Sequence, residues 1–383
     1  MKSPKGDLSI GFLYDDTLDS SDGVAQYVKT LGSWLSGQGH KVVYLVGGTT
    51  IKEWAGAPVY SLSRNLKVPF NANRVSTPLP AGKKSINQVL ERRELDVLHV
   101  QMPYSPIMAG RVIKRAKSQT AILGTFHIYP AGILARVGTR FLRILCFGTL
   151  RRFDMVLSVS DAASGFASKY LGVSSKILPN VVELERFSTA KSKPAPYHIV
   201  FLGRLVKRKG CEELLRAFKI LRETMPEAKL SIAGDGPQRK KLESFVNDNH
   251  LGSSVSFQGF INEQDKPKLL ASAAIACFPS LGGESFGIVL IEAMAAGAGV
   301  TIGGNNPGYA SVLGRRPETL FDPKNAKQFA LILKKFLTDE QLAADIHSWQ
   351  GELVRKYDIE TVGPHLVKVY RGAIAKAGRS RHN

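Results

Sequence analysis

The sequence predicts an α/β protein: two doubly wound domains of parallel sheet facing each other across a cleft. Three observations carry this. Continuous apolar runs, the mark of strands buried on both faces, alternate with helical periodicities. The alternation runs from Leu8 to Leu178, stops at a polar stretch holding two prolines, and restarts at His198. The length, 383 residues, suits two domains at roughly 100–200 residues each. In such sheets ligands bind at the carboxyl ends of the strands, so the expected site is the cleft.

Element by element, Leu8 to Tyr14 reads as a strand. Asp22-Gly23 opens a helix whose Val24, Val28, Leu31 and Leu35 share one face, and Gly37 and Gly39 end it. Val42 to Val46 is a buried-strand run. Thr49 to Gly82 holds four prolines and reads as irregular. Strands are expected at Asp96–Val100, Ala121–Phe126, Met155–Ser160 and Lys176–Leu178. Ser188 to Pro196 reads as the linker, separating a domain 1–187 from a domain 188–359. The second domain repeats the pattern with strands at His198–Leu202, Lys229–Ala233, Ser254–Gln258, Ile275–Pro279, Val300–Ile302 and Thr319–Phe321. Helix runs onward from Asn325, and its last part, 360–383, is expected to pack back on the first domain.

Hydrophobic residues make up 44% and charged residues 22%, which excludes a disordered or collagen-like chain. The three cysteines, Cys146, Cys211 and Cys277, have no metal-ligand spacing, so neither a disulfide framework nor a zinc site is expected. Met1 to Asp7 lacks an apolar leader, and no run reaches the ~18 apolar residues of a membrane span. The expectation is a cytoplasmic protein.

Lys and Arg number 52 against 32 Asp and Glu, a net charge of +20, which attracts an anionic partner. From Val97 to Phe153, 57 residues, there is no carboxylate, while nine Lys or Arg are present. Arg136, Arg140 and Arg143 share a helical face, with Phe141, Leu142, Ile144, Leu145 and Phe147 around them. Basic residues among bulky apolar ones suit an anionic membrane surface, although solvated arginines on a core helix give the same pattern. Lys83 and Lys84, with Arg92 and Arg93, form a second cluster. The membrane reading places the protein peripherally on the inner face of the plasma membrane. No RNP-type aromatic motif, zinc finger or recognition helix is present, so no nucleic-acid partner is expected; a basic nucleic-acid-binding protein is the alternative of another class.

Four segments carry chemistry, the weakest signal being Asp22-Gly23-Val24, a glycine at the N-terminus of the first helix. Gly282-Gly283-Glu284-Ser285-Phe286-Gly287-Ile288-Val289 follows a strand and enters a helix that carries Glu292. The glycines permit close backbone approach, the helix N-terminus offers N–H groups to a diphosphate, and the carboxylates accept sugar and ribose hydroxyls. Gly203-Arg204-Leu205-Val206-Lys207-Arg208-Lys209-Gly210 ends another strand and holds Arg204 and Lys209 as a diphosphate clamp. Thr125-Phe126-His127 ends a strand of the first domain, where a lone histidine is more often structural than catalytic.

These segments resemble the family 4 retaining glycosyltransferases, which have the two-domain GT-B fold, over essentially the whole chain. Glu284 and Glu292 match that family's E-x7-E motif. The glycine-rich segment, Thr125-Phe126-His127, the 203–210 loop and Pro179-Asn180-Val181-Val182 are similar to those of the actinobacterial phosphatidylinositol α-mannosyltransferases. The resemblance implies that Arg204 and Lys209 bind the donor diphosphate, Glu284 holds the transferred sugar and Glu292 the ribose. It implies that Gly283, Ser285, Phe286, Gly287, Ile288 and Val289 line the donor, that Gly23 lets the first loop approach the phosphate, and that His127 lies beside the sugar. Ile261, Glu263 and Lys266 match the base-reading region and suggest guanine. The implied donor is a nucleotide sugar, GDP-mannose ahead of a UDP-sugar, with no permanently bound cofactor and no metal site. The implied acceptor is a membrane lipid such as phosphatidylinositol. Departures from the family pattern are Val181 for Gly, Asp22 for Gly, Ala25 for Gln, Gln101 for His and Glu263 for Asp. The expected function is thus hexose transfer with retention, from GDP-mannose to a membrane lipid. The alternative within the class is a UDP-sugar-dependent enzyme making glycolipid or polysaccharide.

Overall fold

The computed structural model describes residues 6–19, 22–70, 73–103, 105–129, 133–189 and 193–379, with backbone alone at 67–70, 73–77, 133–137 and 379. The chain forms two compact units, Met1–Val181 with Ile359–Asn383, and Val182–Asp358.

The first unit runs β1 (Ser9–Tyr14), α1 (Gly23–Gly37), β2 (Lys41–Val46), β3 (Glu53–Trp54), β4 (Ala57–Ser61), β5 (Asn65–Phe70), β6 (Asn73–Pro78), α2 (Lys83–Arg92), β7 (Val97–Gln101), α3 (Met108–Arg115), β8 (Ala121–Phe126), α4 (Ile133–Leu150), β9 (Met155–Ser158), α5 (Asp161–Phe166) and β10 (Lys176–Ile177). Its eight-stranded sheet has the order β10-β9-β8-β7-β1-β2-β4-β3. Pairing is parallel, as in Ile10↔Val97 and Ile10↔Val42, apart from the short antiparallel β3–β4. The strands are buried on both faces, so side-chain alternation divides them between two cores. Ile10, Phe12 and Tyr14 join Val28, Leu31 and Leu35 of α1; Leu13 joins Leu90 of α2 and Val112 of α3.

The stretch expected to be irregular, 49–82, instead forms β3, β4 and a separate hairpin of β5 and β6. Its prolines hid this. Pro58 lies in β4 opposite Glu53, and Pro69 and Pro78 sit in a two-stranded ribbon; sheet margins tolerate a missing N–H where interior strands do not.

The second unit runs α6 (Leu184–Ser188), β11 (Ala195–Leu202), α7 (Cys211–Thr224), β12 (Lys229–Ala233), α8 (Arg239–Asp248), β13 (Val255–Gly259), α9 (Lys266–Ala271), β14 (Ala273–Phe278), α10 (Ile288–Ala295), β15 (Val300–Gly304), α11 (Pro307–Leu313), β16 (Leu320–Phe321), α12 (Ala326–Thr338) and α13 (Glu340–Val354). Its parallel sheet has the order β13-β12-β11-β14-β15-β16. Ile199, Phe201, Ile275, Cys277 and Ile302 meet Leu214 and Phe218 of α7 and Phe329 and Leu333 of α12 in one core.

The last helix, α14 (Ile359–Arg379), belongs to the first unit. Val362, Leu366, Tyr370 and Ala373 complete the core beneath α1. The units part at Val181 and Val182, six residues ahead of the boundary read from composition. Helix α6 packs on α9 and α10 and buries Phe187, so its residues belong with the second unit. The polar stretch 188–196 leads into β11, and residues 190–192 of it lie outside the described residues.

Candidate active site

In the second unit the strand order reverses between β11 and β14, which are parallel neighbours with Ile199 opposite Ile275. The loops that leave their carboxyl ends, 203–210 and 279–287, therefore flank the crevice where doubly wound sheets bind ligands. The loops are tied together. The Arg208 carbonyl accepts from Leu281 N (2.8 Å) and from Ser280 Oγ (3.1 Å). Gly210 has φ +73°, and a Cβ there would overlap the Pro279 carbonyl.

Glu284 lies at the centre and is 9% exposed. Its Oε1 takes Arg208 Nη1 at 2.6 Å, Lys209 Nζ at 2.8 Å and Ser280 Oγ at 2.8 Å. Burial alone would raise its pKa, but Lys209 and Arg208 and the bonds from Lys209 and Ser280 outweigh it and hold the carboxyl at about 2. The group is ionised at every physiological pH. Asn306 Nδ2 donates to the Ser280 carbonyl (3.2 Å) and fixes that residue from below.

Arg208 was not singled out from the sequence, yet it holds Glu284 together with Lys209. The tight turn Lys207–Lys209 brings two adjacent cations to one carboxylate. Arg204, the expected partner of Lys209, is exposed, and among the described residues it makes no ion pair. Gly283 (φ +73°) and Gly287 (φ +104°) adopt backbone conformations that favour glycine. Phe286 is 2% exposed and meets Tyr357 edge-on at 5.3 Å, so only its backbone is available to a ligand. Ser285, Ile288 and Val289 are half-buried at the start of α10.

Glu292 stands on α10 and is buried with Lys266, whose Nζ lies 2.9 Å from Glu292 Oε1 and 3.0 Å from Glu263 Oε1. Burial would lower the Lys266 pKa, but Glu292 and Glu263 raise it. Arg186 of α6 continues the chain, donating to the Glu263 carbonyl at 2.7 Å. Glu263, Lys266 and Glu292 are thus one charge network, and Ile261 lies in the same loop after β13.

His127 and Gly23 belong to the first unit. His127 follows β8; its Nε2 bonds Gln101 Oε1 at 2.7 Å and its ring meets Tyr27 edge-on at 4.9 Å. Burial pushes its pKa down to about 3, so the imidazole is neutral. Gly23 is exposed at the first turn of α1. Asp22 caps that helix, its Oδ1 accepting from Val24 N (2.9 Å) and Ala25 N (3.1 Å). A carboxylate therefore occupies the helix N-terminus beside Gly23.

Lys83 and Lys84 are exposed at the start of α2. Helix α4 buries Cys146 and Thr149 and exposes Arg140 and Arg143 together with Phe141, Ile144, Leu145 and Phe147, Ile144 to 72%. Arg136 is in this helix, but its side chain lies outside the described residues. No described helix is long and apolar enough to cross a membrane.

Comparison with known proteins agrees with this architecture. The Anabaena protein Alr3699/HepE, solved in complex with UDP and glucose, superposes with a TM-score of 0.74 over 94% of this chain and 99% of its own, at 17% identity. This chain thus has the two-domain GT-B fold. Residues 21–186 match Glycosyltransferase Family 4 and residues 183–348 match Glycosyl transferases group 1; glycosyltransferase domains thus make up most of the chain, which is a glycosyltransferase. It is similar to the phosphatidyl-myo-inositol mannosyltransferase of Mycolicibacterium smegmatis, at 29% identity over 95% of this chain and 93% of that protein. It is also similar to the alpha-monoglucosyldiacylglycerol synthase of Streptococcus pneumoniae, at 25% identity over 78% of this chain and 71% of that protein.

Proposed function

We infer that this glycosyltransferase moves mannose from GDP-mannose, with retention, onto a membrane lipid acceptor such as phosphatidylinositol. The observation that carries the reading is the ionised Glu284, fixed by Arg208, Lys209 and Ser280 at the switch point of the second unit. Such a carboxylate accepts hydroxyls of the transferred sugar. The principal barrier is separating an anionic diphosphate from a sugar that gains positive charge. Lys209, the exposed Arg204 and the N–H groups opening α10 supply fixed positive charge for that leaving group. Glu292 is assigned to the ribose, Ile261, Glu263 and Lys266 to the base, and Gly23 and the neutral His127 to the reacting end of the sugar.

Mannose and phosphatidylinositol are favoured by the similarity to the Mycolicibacterium mannosyltransferase over nearly the whole chain. The exposed apolar and basic residues of α4, with Lys83 and Lys84, support peripheral binding at the anionic inner face of the plasma membrane. A second reading, glycolipid synthesis from a UDP-sugar, is favoured by the relative that makes a glucosyl lipid and by the structural neighbour that holds UDP and glucose.

The test is transfer of label from radiolabelled GDP-mannose and UDP-glucose, offered in parallel, into extractable lipid. Label from GDP-mannose alone is expected. Label from UDP-glucose alone would overturn the base assignment at Glu263 and Lys266, and no label in lipid from either donor would overturn the lipid acceptor.

A further inference from the structure

A groove of about 560 Å³ opens in the first unit along the end of α4. Arg143, Phe147, Arg151, Lys176 of β10 and Lys376 of α14 line it. All four cations are exposed, and no carboxylate among the described residues pairs with any of them. The carboxylate in the lining, Asp154, is turned into the fold, where Oδ2 accepts from Ile122 N at 2.8 Å, while its carbonyl takes Lys376 Nζ at 2.9 Å. Gly172, at φ +66°, leaves room for the Arg143 guanidinium, which a Cβ there would meet. The Arg151 guanidinium lies 5.4 Å from the centre of the Phe147 ring.

The groove lies at the amino ends of β9 and β10, opposite to the carboxyl ends where doubly wound sheets place reacting ligands. Asp154 meets the start of β8 at Ile122, whereas His127 follows that strand's far end. Five residues of extended chain separate the two levels, roughly 16 Å at about 3.3 Å per residue. A headgroup held in the groove is therefore out of reach of His127.

We propose that this groove binds the phosphate headgroup of an anionic membrane phospholipid that is not the sugar acceptor. The four cations match a phosphodiester. The exposed Phe147 at the lip continues into Phe141, Ile144 and Leu145, each more than half exposed, and this row receives the acyl chains. A free phosphate would leave that apolar row in water, which is why the occupant is an amphiphile. The lipid holds α4 against the bilayer while a separate lipid is glycosylated; in this the proposal rests on the reading that the enzyme works at a membrane.

The test uses the full chain and calorimetric titration with dihexanoyl phosphatidylglycerol below its micellar concentration, then dihexanoyl phosphatidylcholine and inorganic phosphate. Phosphatidylglycerol is expected to bind one per chain. Arg151→Gln with Lys176→Gln should weaken it about tenfold, and Phe147→Ser should weaken it further, with melting temperatures of these surface variants unchanged. Glu284→Ala should bind it like the wild type. Undiminished binding by the double variant, or phosphatidylcholine binding as tightly as phosphatidylglycerol, would overturn the proposal. So would inorganic phosphate binding as tightly, since that describes an ion site only. Loss of sugar transfer to lipid with phosphatidylglycerol binding intact would instead count against the function proposed above, so the two failures are distinguishable.

Discussion

At the scale of single residues, Glu284 is the most constrained group of the candidate site, with three donors on one oxygen. Glu284→Gln keeps the shape and removes the charge; kcat/KM should fall by about 10²–10³-fold with little change in circular dichroism. Lys209→Ala should cost as much, and Arg208→Ala about tenfold, because Lys209 still holds the carboxylate. Normal turnover in Glu284→Gln would remove this residue from the site. The Glu284 pKa also fixes the sign of a stability effect. A folded value of about 2 against an ordinary 4.5 means stabilisation present above pH ~4.5 and lost as pH falls toward 2. Asp15 behaves oppositely. It is 3% exposed at the end of β1, accepts from Ser105 Oγ and from Ala109 N, and burial pushes its pKa up to about 6, with Asp16 adding to the rise. Between its ordinary 3.8 and about 6 the folded state binds the extra proton, so this group's contribution falls as pH rises through that window. Asp15→Asn keeps both hydrogen bonds in reach and should flatten the dependence of unfolding free energy on pH between about 4 and 6, read from urea titrations at several pH values.

Among the elements, α4 shows how far a pattern can be read. The shared face of Arg140 and Arg143 follows from helical periodicity alone. That Phe141, Ile144 and Leu145 face solvent while Cys146 and Thr149 are buried does not, because an apolar residue carries no label for its partner. Arg140→Gln with Arg143→Gln should lower partition onto phosphatidylglycerol vesicles on the order of tenfold at low salt and leave neutral vesicles unaffected. Replacing Phe141, Ile144 and Leu145 by Ser should lower both. Unchanged sedimentation with vesicles in both sets would return α4 to an ordinary surface helix. In the second unit, α10 and α9 are joined through Glu292 and Lys266. Lys266→Met leaves a buried carboxylate unpaired and should cost about 3 kcal/mol, seen as an earlier urea midpoint.

For the whole molecule, the decisive feature is that the chain returns to its first unit at the end. Helix α14 supplies Val362, Leu366, Tyr370 and Ala373 to that core, and Tyr370 Oη lies 2.7 Å from His99 Nδ1, with Thr125 Oγ1 2.7 Å from Nε2 on the other side of the ring. Tyr370→Phe should destabilise the first unit by roughly 1–2 kcal/mol through the orphaned imidazole nitrogen. Ending the chain after Asp358 should abolish the first unit's unfolding transition in calorimetry and preserve that of the second, whose core takes nothing from α14. Survival of both transitions would show that α14 is dispensable.

The amino-acid sequence by itself determined the parallel sheets, their strand positions to within a residue or two over most of the chain, and the glycine-bearing loops that carry Glu284 and the basic run after β11. Apolar periodicity and glycine are local signals, and they report local structure faithfully. Tertiary structure decided the rest. It made strands of a proline-bearing stretch and paired Glu284 with Arg208 as well as Lys209. It tied Lys266 to Glu292 and capped α1 with a carboxylate beside Gly23. Each of these depends on which charged or apolar group folding brings within a few ångströms of another. The reach of a Coulomb or hydrogen-bond contact is set by distance in space, which separation along the chain does not encode.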